Sequence, residues 1–372
     1  MADHRGGEAS AVAWLDSLSP WPQEGFGLER MLALLAELGD PQNAYPAVHV
    51  VGTNGKSTAT ITIEQLLLEE GLSVGATISP HVVSWSERIR VNGEEAEFEE
   101  AVGRVRPAAE RLDATQFETV TAAALSAFAV AEVDVAVVEA GLGGRLDATN
   151  VLRTRVVLLT NVALEHTDVL GDTLEEIARE KLNVAGEGSV VVLPDRTYAH
   201  LVPGREIVLG GAREAAEAFV GHPIDADPEI ALPGRLESRP GEVRDGAHNP
   251  HGVGYLVERL CGSEPQGVSC DYTVMVSILG DKNADAMLRE LARVGTRLVA
   301  TRSSSARALP AEDVAQLARR HFDHVEAVED PVQAVARAHE LGEPVLVTGS
   351  LYLLGDLAAS ERYGERRAAW QG

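Results

Sequence analysis

The chain has 372 residues, of which 45% are hydrophobic and 24% are charged, a composition typical of a folded protein with about two domains. Lysine and arginine total 32 against 57 aspartates and glutamates, so the formal net charge is −25. This charge argues against nucleic-acid and membrane partners, although local donors can still hold one small anion. Cys261 and Cys270 are too few for a disulfide framework, and neither a signal peptide nor a membrane-length apolar run is evident. We expect a cytoplasmic protein.

Short β-branched runs alternate with helical stretches along the chain, a pattern typical of mostly parallel α/β sheets. A helix is predicted from Thr173, where Glu176 completes a capping box. Further helices are predicted over Ala284–Val294 and Pro331–Leu341. Strands are predicted at Ala47–Val51, Val133–Glu139, Val156–Thr160, Val190–Leu193, Tyr272–Ser277, Arg297–Thr301 and Pro344–Thr348.

The stretch 222–241 is rich in proline, glycine and acidic residues, which indicates a junction between two α/β domains. We therefore predict a P-loop ATPase-like domain with a mostly parallel sheet over 1–240. A smaller Rossmann-like α/β domain is predicted over 241–372.

The strongest motif is a glycine-rich loop that follows the first predicted strand and opens a helix running to about Glu70. Glycines let the backbone direct its N–H groups at phosphate oxygens, and the helix N-terminus adds partial positive charge. Lys56 would reach the β- and γ-phosphates of a nucleotide, and the hydroxyl of Ser57 or Thr58 would face Mg²⁺. The motif is Gly52-Thr53-Asn54-Gly55-Lys56-Ser57-Thr58, with two residues between its glycines where the common P-loop has four.

This short loop resembles the ATP loop of the Mur ligase superfamily, whose members form amide bonds through an acyl phosphate. Other motifs resemble the folylpolyglutamate synthase/dihydrofolate synthase family within it, in the family's order from about residue 25 to 355. These motifs are GLER (27–30), LGDP (38–41), VHVV (48–51), SPH (79–81), SERI (86–89), FE (117–118) with TAAA (121–124), EAGLGGRLDATN (139–150), EHTD (165–168), REK (179–181), LPGR (232–235), DGAHNP (245–250) and VTGSLY (347–352).

Three features depart from the family pattern. Ser57-Thr58 follows Lys56 as in peptidoglycan-type ligases, where the family has Gly-Ser, so the hydroxyl that meets the metal stays open. The stretch between Lys181 and Arg235 is shorter than usual, and 212–219 shows no counterpart of the helix that gives the family an asparagine at the nucleotide. The segment 304–308 lacks the proline of the family's Ser-Pro-Arg-Ala.

The resemblance implies that ATP and two Mg²⁺ ions act at one site, with Lys56, Lys181 and His248 as catalytic residues. Glu139, Ser79 and His166 are the implied metal ligands. Oxygen donors suit Mg²⁺ on chemical grounds, whereas His166 depends on the resemblance alone. The family's matching lysine is carbamylated, and this modification is carried over to Lys181.

In the second predicted domain, the resemblance implies that Arg235 contacts the ATP phosphates and Asp245 the ribose. His248 would lie near the transferred phosphoryl group and the incoming glutamate. Asp281 and Lys282 follow a predicted strand, where the cation could hold an acyl phosphate or the pair could form an ordinary turn.

The resemblance also places a pteridine-bearing substrate against the segments 79–88 and 115–121. Trp85 and Phe117 are aromatic residues that could stack on a flat ring or belong to the core. The implied substrate contacts are Pro80, His81, Arg88, Thr115, Phe117, Glu118, Leu146, Ser305 and Arg307.

Three hypotheses follow for function. The first is a monomeric, ATP-dependent ligase that adds L-glutamate to dihydropteroate, to a reduced folate, or to both. The second is a Mur-type ligase acting on a nucleotide-sugar peptide, which Lys56-Ser57-Thr58 favours. The third is a nucleotide-binding homologue without catalysis, supported only by the shortened middle segment.

Overall fold

The computed structural model describes residues 5–22, 25–262 and 270–371, with side chains described for 11–22, 25–262 and 270–362. The chain divides into two compact units, Met1–Ile230 and Ala231–Gly372. Among the described residues, no helix is both long and apolar enough to cross a membrane.

The first unit is built on an eight-stranded sheet in the order β4-β3-β2-β5-β1-β6-β7-β8. Six of these strands run parallel, and β3 and β4 add an antiparallel hairpin at one edge. Its elements are α1 (Arg5–Ser17), α2 (Glu29–Glu37), β1 (Ala47–Val51), α3 (Lys56–Glu69), β2 (Val74–Thr77), β3 (Arg90–Val91), β4 (Glu94–Glu95), α4 (Phe98–Arg111), α5 (Gln116–Val130), β5 (Val135–Glu139), β6 (Thr154–Leu159), α6 (Thr167–Leu170), α7 (Leu174–Leu182), β7 (Val190–Leu193), β8 (Glu206–Leu209) and α8 (Ala212–Val220).

Strand β1 is the central strand that positions the site. All five of its residues are buried, and β5 and β6 pair with it in parallel on either side. Val50 pairs with Glu139, so the carboxyl end of β5 lies beside the start of the glycine-rich loop. This register brings a carboxylate to the edge of the sheet where ligands of α/β proteins bind.

The helix signals of the first unit follow the sequence closely. Thr173 caps α7, and its hydroxyl and backbone pair reciprocally with Glu176, which confirms the predicted capping box. Helix α3 ends at Glu69, and Gly71 has a φ of +79°, a left-handed conformation that ends helices.

The second unit is built on a six-stranded sheet in the order β13-β12-β11-β14-β10-β9, parallel except for β9. The predicted fold class is therefore confirmed. Its elements are β9 (Glu237–Arg239), β10 (Glu242–Arg244), α9 (Pro250–Cys261), β11 (Thr273–Val276), α10 (Ala284–Leu291), β12 (Arg297–Ala300), α11 (Ala311–Ala318), β13 (His324–Ala327), α12 (Pro331–Leu341), β14 (Val345–Thr348) and α13 (Leu351–Gln371).

Two local features of the second unit differ from the sequence expectations. Strand β9 pairs with β10, so residues 231–240, which the sequence assigned to the first domain, pack with the second unit. Cys261 and Cys270 are bonded to each other and join the end of α9 to the segment before β11. Composition excluded a framework of disulfides and gave no signal for this single bond.

Candidate active site

The glycine-rich loop adopts a tight turn that requires its glycines. Gly52 and Gly55 have φ values of +151° and +78°, in the region that disfavours side chains. A Cβ at Gly52 would lie 1.9 Å from Thr160 Oγ1, so a larger residue does not fit there. The loop ends where α3 begins, and this helix N-terminus favours an anion in front of it.

The side chain of Asn161, which follows β6, forms hydrogen bonds with the backbone of the glycine-rich loop. Its side-chain oxygen accepts from the Asn54 N–H (3.0 Å), and its side-chain nitrogen donates to the Asn54 carbonyl (2.8 Å). The Thr160 hydroxyl donates to the same carbonyl (2.8 Å). Asn161 is not among the residues predicted from the sequence, because nothing in its local pattern distinguishes it from an ordinary residue after a strand.

We expect Asn161→Ala to raise the KM for ATP about tenfold to a hundredfold, because two hydrogen bonds of about 1 kcal/mol each are lost. The KM for the other substrates should stay near the wild-type value. Steady-state kinetics with each substrate varied in turn checks this. Asn183→Ala, which removes an exposed asparagine after α7, is the matched control. Equal effects of the two variants on the KM for ATP would contradict the role of Asn161 in holding the loop.

Glu139 joins three of the predicted site residues. It is buried at the end of β5, and Oε1 accepts from the Ser57 hydroxyl (3.2 Å) and lies 4.0 Å from Lys56 Nζ. Its Oε2 accepts from the Ser79 backbone N–H (2.9 Å). Ser57 therefore faces Glu139, whereas the carbonyl of Thr58 accepts from Thr62 within the helix.

The donor set around Glu139 suits a hard cation. Carboxylate and hydroxyl oxygens, such as those of Glu139 and Ser57, are the ligand types that Mg²⁺ prefers, alongside water and phosphate oxygens. Ser79 contacts Glu139 through its backbone N–H. His166 lies on an exposed turn before α6 with a φ of +51°. Among the described residues, no three histidine, cysteine or acidic side chains form a group that could hold a metal.

Lys181 is a buried lysine that contacts the glycine-rich loop. Its side chain is only 4% exposed, and Nζ donates to the Gly52 carbonyl (2.7 Å). Burial lowers the pKa of Lys181 to about 7, and the positive charge of Lys56 lowers it further. The carboxylates of Glu165, Asp147 and Glu180 act in the opposite direction and raise it. Much of this amine is therefore neutral near pH 7, and a neutral amine is a nucleophile.

The loop between Glu139 and Thr149 places the helix that carries Lys181. The Arg145 N–H donates to the Glu180 carbonyl (3.1 Å). A Cβ at Gly144 would lie 2.6 Å from the Lys181 carbonyl oxygen. This loop and the last turn of α7 are therefore in contact through their backbones.

We expect Gly144→Ala to displace Lys181 and to lower kcat by up to about 10²-fold, since small misplacements of catalytic groups have effects of that size. Overpacking should also lower the free energy of unfolding by about 1–3 kcal/mol. Enzyme kinetics and thermal unfolding check both values. Gly103→Ala is the control, because a Cβ at this glycine in α4 meets no atom within 4 Å, and it should leave kcat unchanged.

The predicted substrate segment 79–88 contains a cluster of three side chains in contact, His81, Trp85 and Arg88. The Arg88 guanidinium lies 4.4 Å from the Trp85 ring centroid and donates through Nε to His81 Nδ1 (2.9 Å). The His81 and Trp85 rings are 4.6 Å apart. Burial, together with Arg88, lowers the pKa of His81 to about 3, so the imidazole is neutral. Pro80 is exposed beside this cluster.

Residues of the second predicted substrate segment have structural partners in the first unit. Thr115 and Glu118 form the capping box of α5, and the Glu118 carboxylate also pairs with Arg30 (2.9 Å). The Phe117 ring lies against Gly141, where a Cβ would be 2.5 Å from it. Leu146 is half-buried in the loop after Glu139.

In the second unit, three predicted residues flank the end of β10. Asp245 accepts from the backbone N–H groups of Leu236 and Ala247 (2.8 Å each). Burial raises the pKa of Asp245, although these two hydrogen bonds act to lower it. Arg235 donates to the Gly234 carbonyl (3.1 Å). His248 Nδ1 donates to the Gly246 carbonyl (2.8 Å).

The remaining predicted residues of this unit lie together. Arg307 and Lys282 both pair with Asp281, at 3.5 Å and 3.6 Å. The Ser305 hydroxyl accepts from the Arg307 N–H (3.3 Å). The two turns are joined by the hydrogen bond from the Gly280 N–H to the Arg307 carbonyl (2.8 Å).

Comparison with known proteins finds two matching domain families. The Mur ligase middle domain matches residues 50–202, and the Mur ligase glutamate ligase domain matches residues 234–351. The chain is 31% identical to the dihydrofolate synthase/folylpolyglutamate synthase of Mycobacterium tuberculosis over 86% of this chain and 84% of that protein.

Two solved structures are similar over nearly the whole chain. E. coli FolC in complex with DHPP and ADP has a TM-score of 0.83 at 26% identity and covers 99% of this chain and 100% of that one. The bifunctional folylpolyglutamate synthase/dihydrofolate synthase of Yersinia pestis, complexed with AMPPNP and a Mn ion, has a TM-score of 0.82 at 27% identity, covering 97% and 100%.

These matches define a Mur ligase, an ATP-dependent enzyme that forms amide bonds. The chain belongs to the dihydrofolate synthase/folylpolyglutamate synthase family of these ligases. The family resemblance and the enzyme class predicted from the sequence are confirmed.

Proposed function

We propose that this enzyme joins L-glutamate to the carboxylate of dihydropteroate, of a reduced folate, or of both, with ATP as the activating substrate. The observation that carries the proposal is the set of contacts at the Glu139 carboxylate. It accepts hydrogen bonds from the Ser57 hydroxyl and the Ser79 backbone N–H, and it lies 4.0 Å from Lys56 Nζ. The names of the similar proteins support the glutamate and folate chemistry. The DHPP and ADP of the E. coli structure support small-molecule substrates.

The reaction has two chemical steps in this proposal. A carboxylate oxygen of the folate substrate attacks the γ-phosphorus of ATP, and ADP leaves. The amino nitrogen of glutamate then attacks the acyl carbon, phosphate leaves, and the nitrogen gives up its proton. The enzyme positions the reactants and neutralises phosphate charge, which dominates catalysis of phosphoryl transfer.

Within this scheme, the glycine-rich loop and Lys56 bind the phosphates. We assign Ser57 rather than Thr58 to the metal because its hydroxyl faces Glu139. Ser57, Glu139 and Ser79 would hold Mg²⁺, which supplies charge neutralisation on the phosphate oxygens when bound. A second Mg²⁺ at His166, and the roles of Arg235, Asp245 and His248, stay predictions, as do the monomeric state and the cytoplasmic location.

Lys181 is proposed to carry a carbamate. Its neutral amine can attack CO₂, forming the N–C bond and releasing one proton, and the product retains one N–H. That N–H can still donate to the Gly52 carbonyl, the present partner of Nζ. A cation is thereby converted into a carboxylate-like group beside the phosphate loop.

A helix is present at 212–220, where no counterpart of the family's asparagine-bearing helix was expected. Helix α8 occupies 212–220 with the sequence AREAAEAFV, which contains no asparagine. We propose that nucleotide binding in this enzyme does without that contact.

Product analysis by mass spectrometry tests the proposed function. Purified enzyme with Mg·ATP, L-glutamate and dihydropteroate labelled with ¹⁸O in its carboxylate should yield dihydrofolate and phosphate carrying one ¹⁸O. Tetrahydrofolate in place of dihydropteroate reports chain extension. Glutamylated product with unlabelled phosphate would contradict the acyl phosphate, and product only with a nucleotide-sugar peptide would favour the Mur-type alternative.

A further inference from the structure

A buried histidine lies in the middle of β1, three residues before the glycine-rich loop. His49 has no exposed surface, and Nε2 is 2.8 Å from the Thr149 hydroxyl. Burial lowers the pKa of His49 to about 3, so the ring is neutral. Its other nitrogen, Nδ1, is buried without a hydrogen-bond partner among the described residues, which costs stability.

The direction of the hydrogen bonds follows from Asp147. The Thr149 hydroxyl lies 2.5 Å from Asp147 Oδ1 and donates to it, because a carboxylate accepts. A hydroxyl has one proton, so the His49 ring must be the donor in the remaining bond. The chain of donors therefore runs from His49 Nε2–H through the Thr149 hydroxyl to Asp147.

Asp147 orders the segment that follows Glu139. Its Oδ2 accepts from the Leu142 N–H (2.7 Å), and Oδ1 accepts from the Thr149 N–H (3.0 Å). The carboxylate is 5% exposed, so each of these bonds is shielded from water. The segment folded around Asp147 contains Gly144, which contacts the backbone at Lys181.

The same segment contacts the predicted substrate side of the site. Gly141 lies against the Phe117 ring. The negative charge of Asp147 also acts on Lys181, opposing the effect of burial on its pKa. The segment 141–149 thus connects Phe117, Glu139 and Lys181, and Asp147 is its internal anchor.

We propose that His49 is a positioning residue for the ligase reaction, which fixes Thr149 and Asp147 and thereby holds the segment 141–149 against Lys181. This inference rests on the proposed function for its kinetic consequences. The order of the segment 141–149 does not depend on the proposed function and can be measured without turnover.

Two pairs of variants test the donor chain. His49→Leu and Thr149→Val remove a member, whereas His49→Gln keeps a donor nitrogen near Nε2 and Thr149→Ser keeps the hydroxyl. Val48→Ala, at a buried position of the same strand, is the control for lost packing. Hydrogen exchange of the peptide covering 141–149, read by mass spectrometry, and kinetics with ATP and the folate substrate are the measurements.

We expect His49→Leu and Thr149→Val to speed exchange of this segment about fivefold or more, as loss of one hydrogen bond predicts. In the same variants kcat should fall about tenfold or more with little change in the KM for ATP. His49→Gln and Thr149→Ser should stay close to wild type in both measurements. Val48→Ala should lower the melting temperature without either effect.

The proposal is overturned if His49→Leu behaves as wild type, if His49→Gln is as impaired as His49→Leu, or if Val48→Ala reproduces the kinetic loss. If His49→Leu does not fold, the Thr149 pair decides by the same criteria. A wild-type enzyme without turnover would remove the proposed function, and the exchange measurement would still decide whether the donor chain orders the segment.

Discussion

Replacing Lys56 with alanine should lower kcat by about 10²–10³-fold, the usual effect of removing one preorganised donor from developing charge. Lys56 is the first residue of α3, and its ammonium is held by the Thr53 carbonyl (3.3 Å) and by Glu139 at 4.0 Å. It therefore lies where the loop and the helix N-terminus would receive phosphates. Kinetics with saturating ATP separates this loss from weaker binding.

The control for Lys56→Ala is Thr62→Ala on the same helix. The Thr62 hydroxyl donates to the Thr58 carbonyl within the helix (2.8 Å), so kcat should be unchanged. Circular dichroism and thermal unfolding verify that both variants fold. Turnover of Lys56→Ala close to the wild-type value would show that this lysine is not part of the phosphate site.

Replacing Lys181 with methionine, which is similar in length but lacks the amine, should lower kcat by at least about 10²-fold. Wild-type activity should also depend on CO₂, because the carbamate forms from the neutral amine. The pKa of Lys181 is about 7 against an ordinary value of 10.5. At a fixed CO₂ pressure, activation should therefore increase from pH 6 to pH 8, as the amine loses its proton.

The lowered pKa of Lys181 also predicts how the free energy of unfolding changes with pH. Between about pH 7 and 10.5 the unfolded chain keeps the Lys181 proton that the folded chain has lost. The unmodified enzyme should thus gain free energy of unfolding from this group as pH rises through that window. Lys181→Met should lack this contribution, and urea unfolding at several pH values in CO₂-free buffer measures the difference.

Carbamylation can be observed directly because the sequence contains only three lysines, Lys56, Lys181 and Lys282. With ¹³CO₂, carbon NMR of the wild-type enzyme should show a carbamate signal that Lys181→Met lacks and Lys282→Met retains. A signal that persists in Lys181→Met would assign the carbamate to another amine. No signal at any pH, with full activity, would contradict the role proposed for Lys181.

The parts of the site that are local in sequence could be predicted from it. Ala47–Val51 and Val190–Leu193 have the predicted bounds, because continuous β-branched runs are typical of buried parallel strands. The glycine-rich loop and the Thr173 cap depend on neighbouring residues alone. The family motifs added the residues that meet only in three dimensions, among them Glu139 and Ser79.

Other features arise from contacts that no local pattern encodes. Asn161 and His49 contact residues 107 and 100 positions away in the sequence, so no local pattern distinguishes their amide and imidazole groups. The Cys261–Cys270 bond joins the end of α9 to the segment before β11. The scarcity of lysine in the sequence could have pointed to the site. Arginine is the cation at every other basic position, and a lysine amine occurs only at Lys56, Lys181 and Lys282.

The most direct measurement is phosphate release by the purified enzyme with Mg·ATP, in the presence and absence of each remaining substrate. The proposed function predicts release that requires L-glutamate together with dihydropteroate, tetrahydrofolate or both, and that is lost in Lys56→Ala. Release with dihydropteroate would establish the first addition of glutamate, and release with tetrahydrofolate alone would restrict the enzyme to chain extension. Bound ATP without release in either mixture would contradict the assignment to folate.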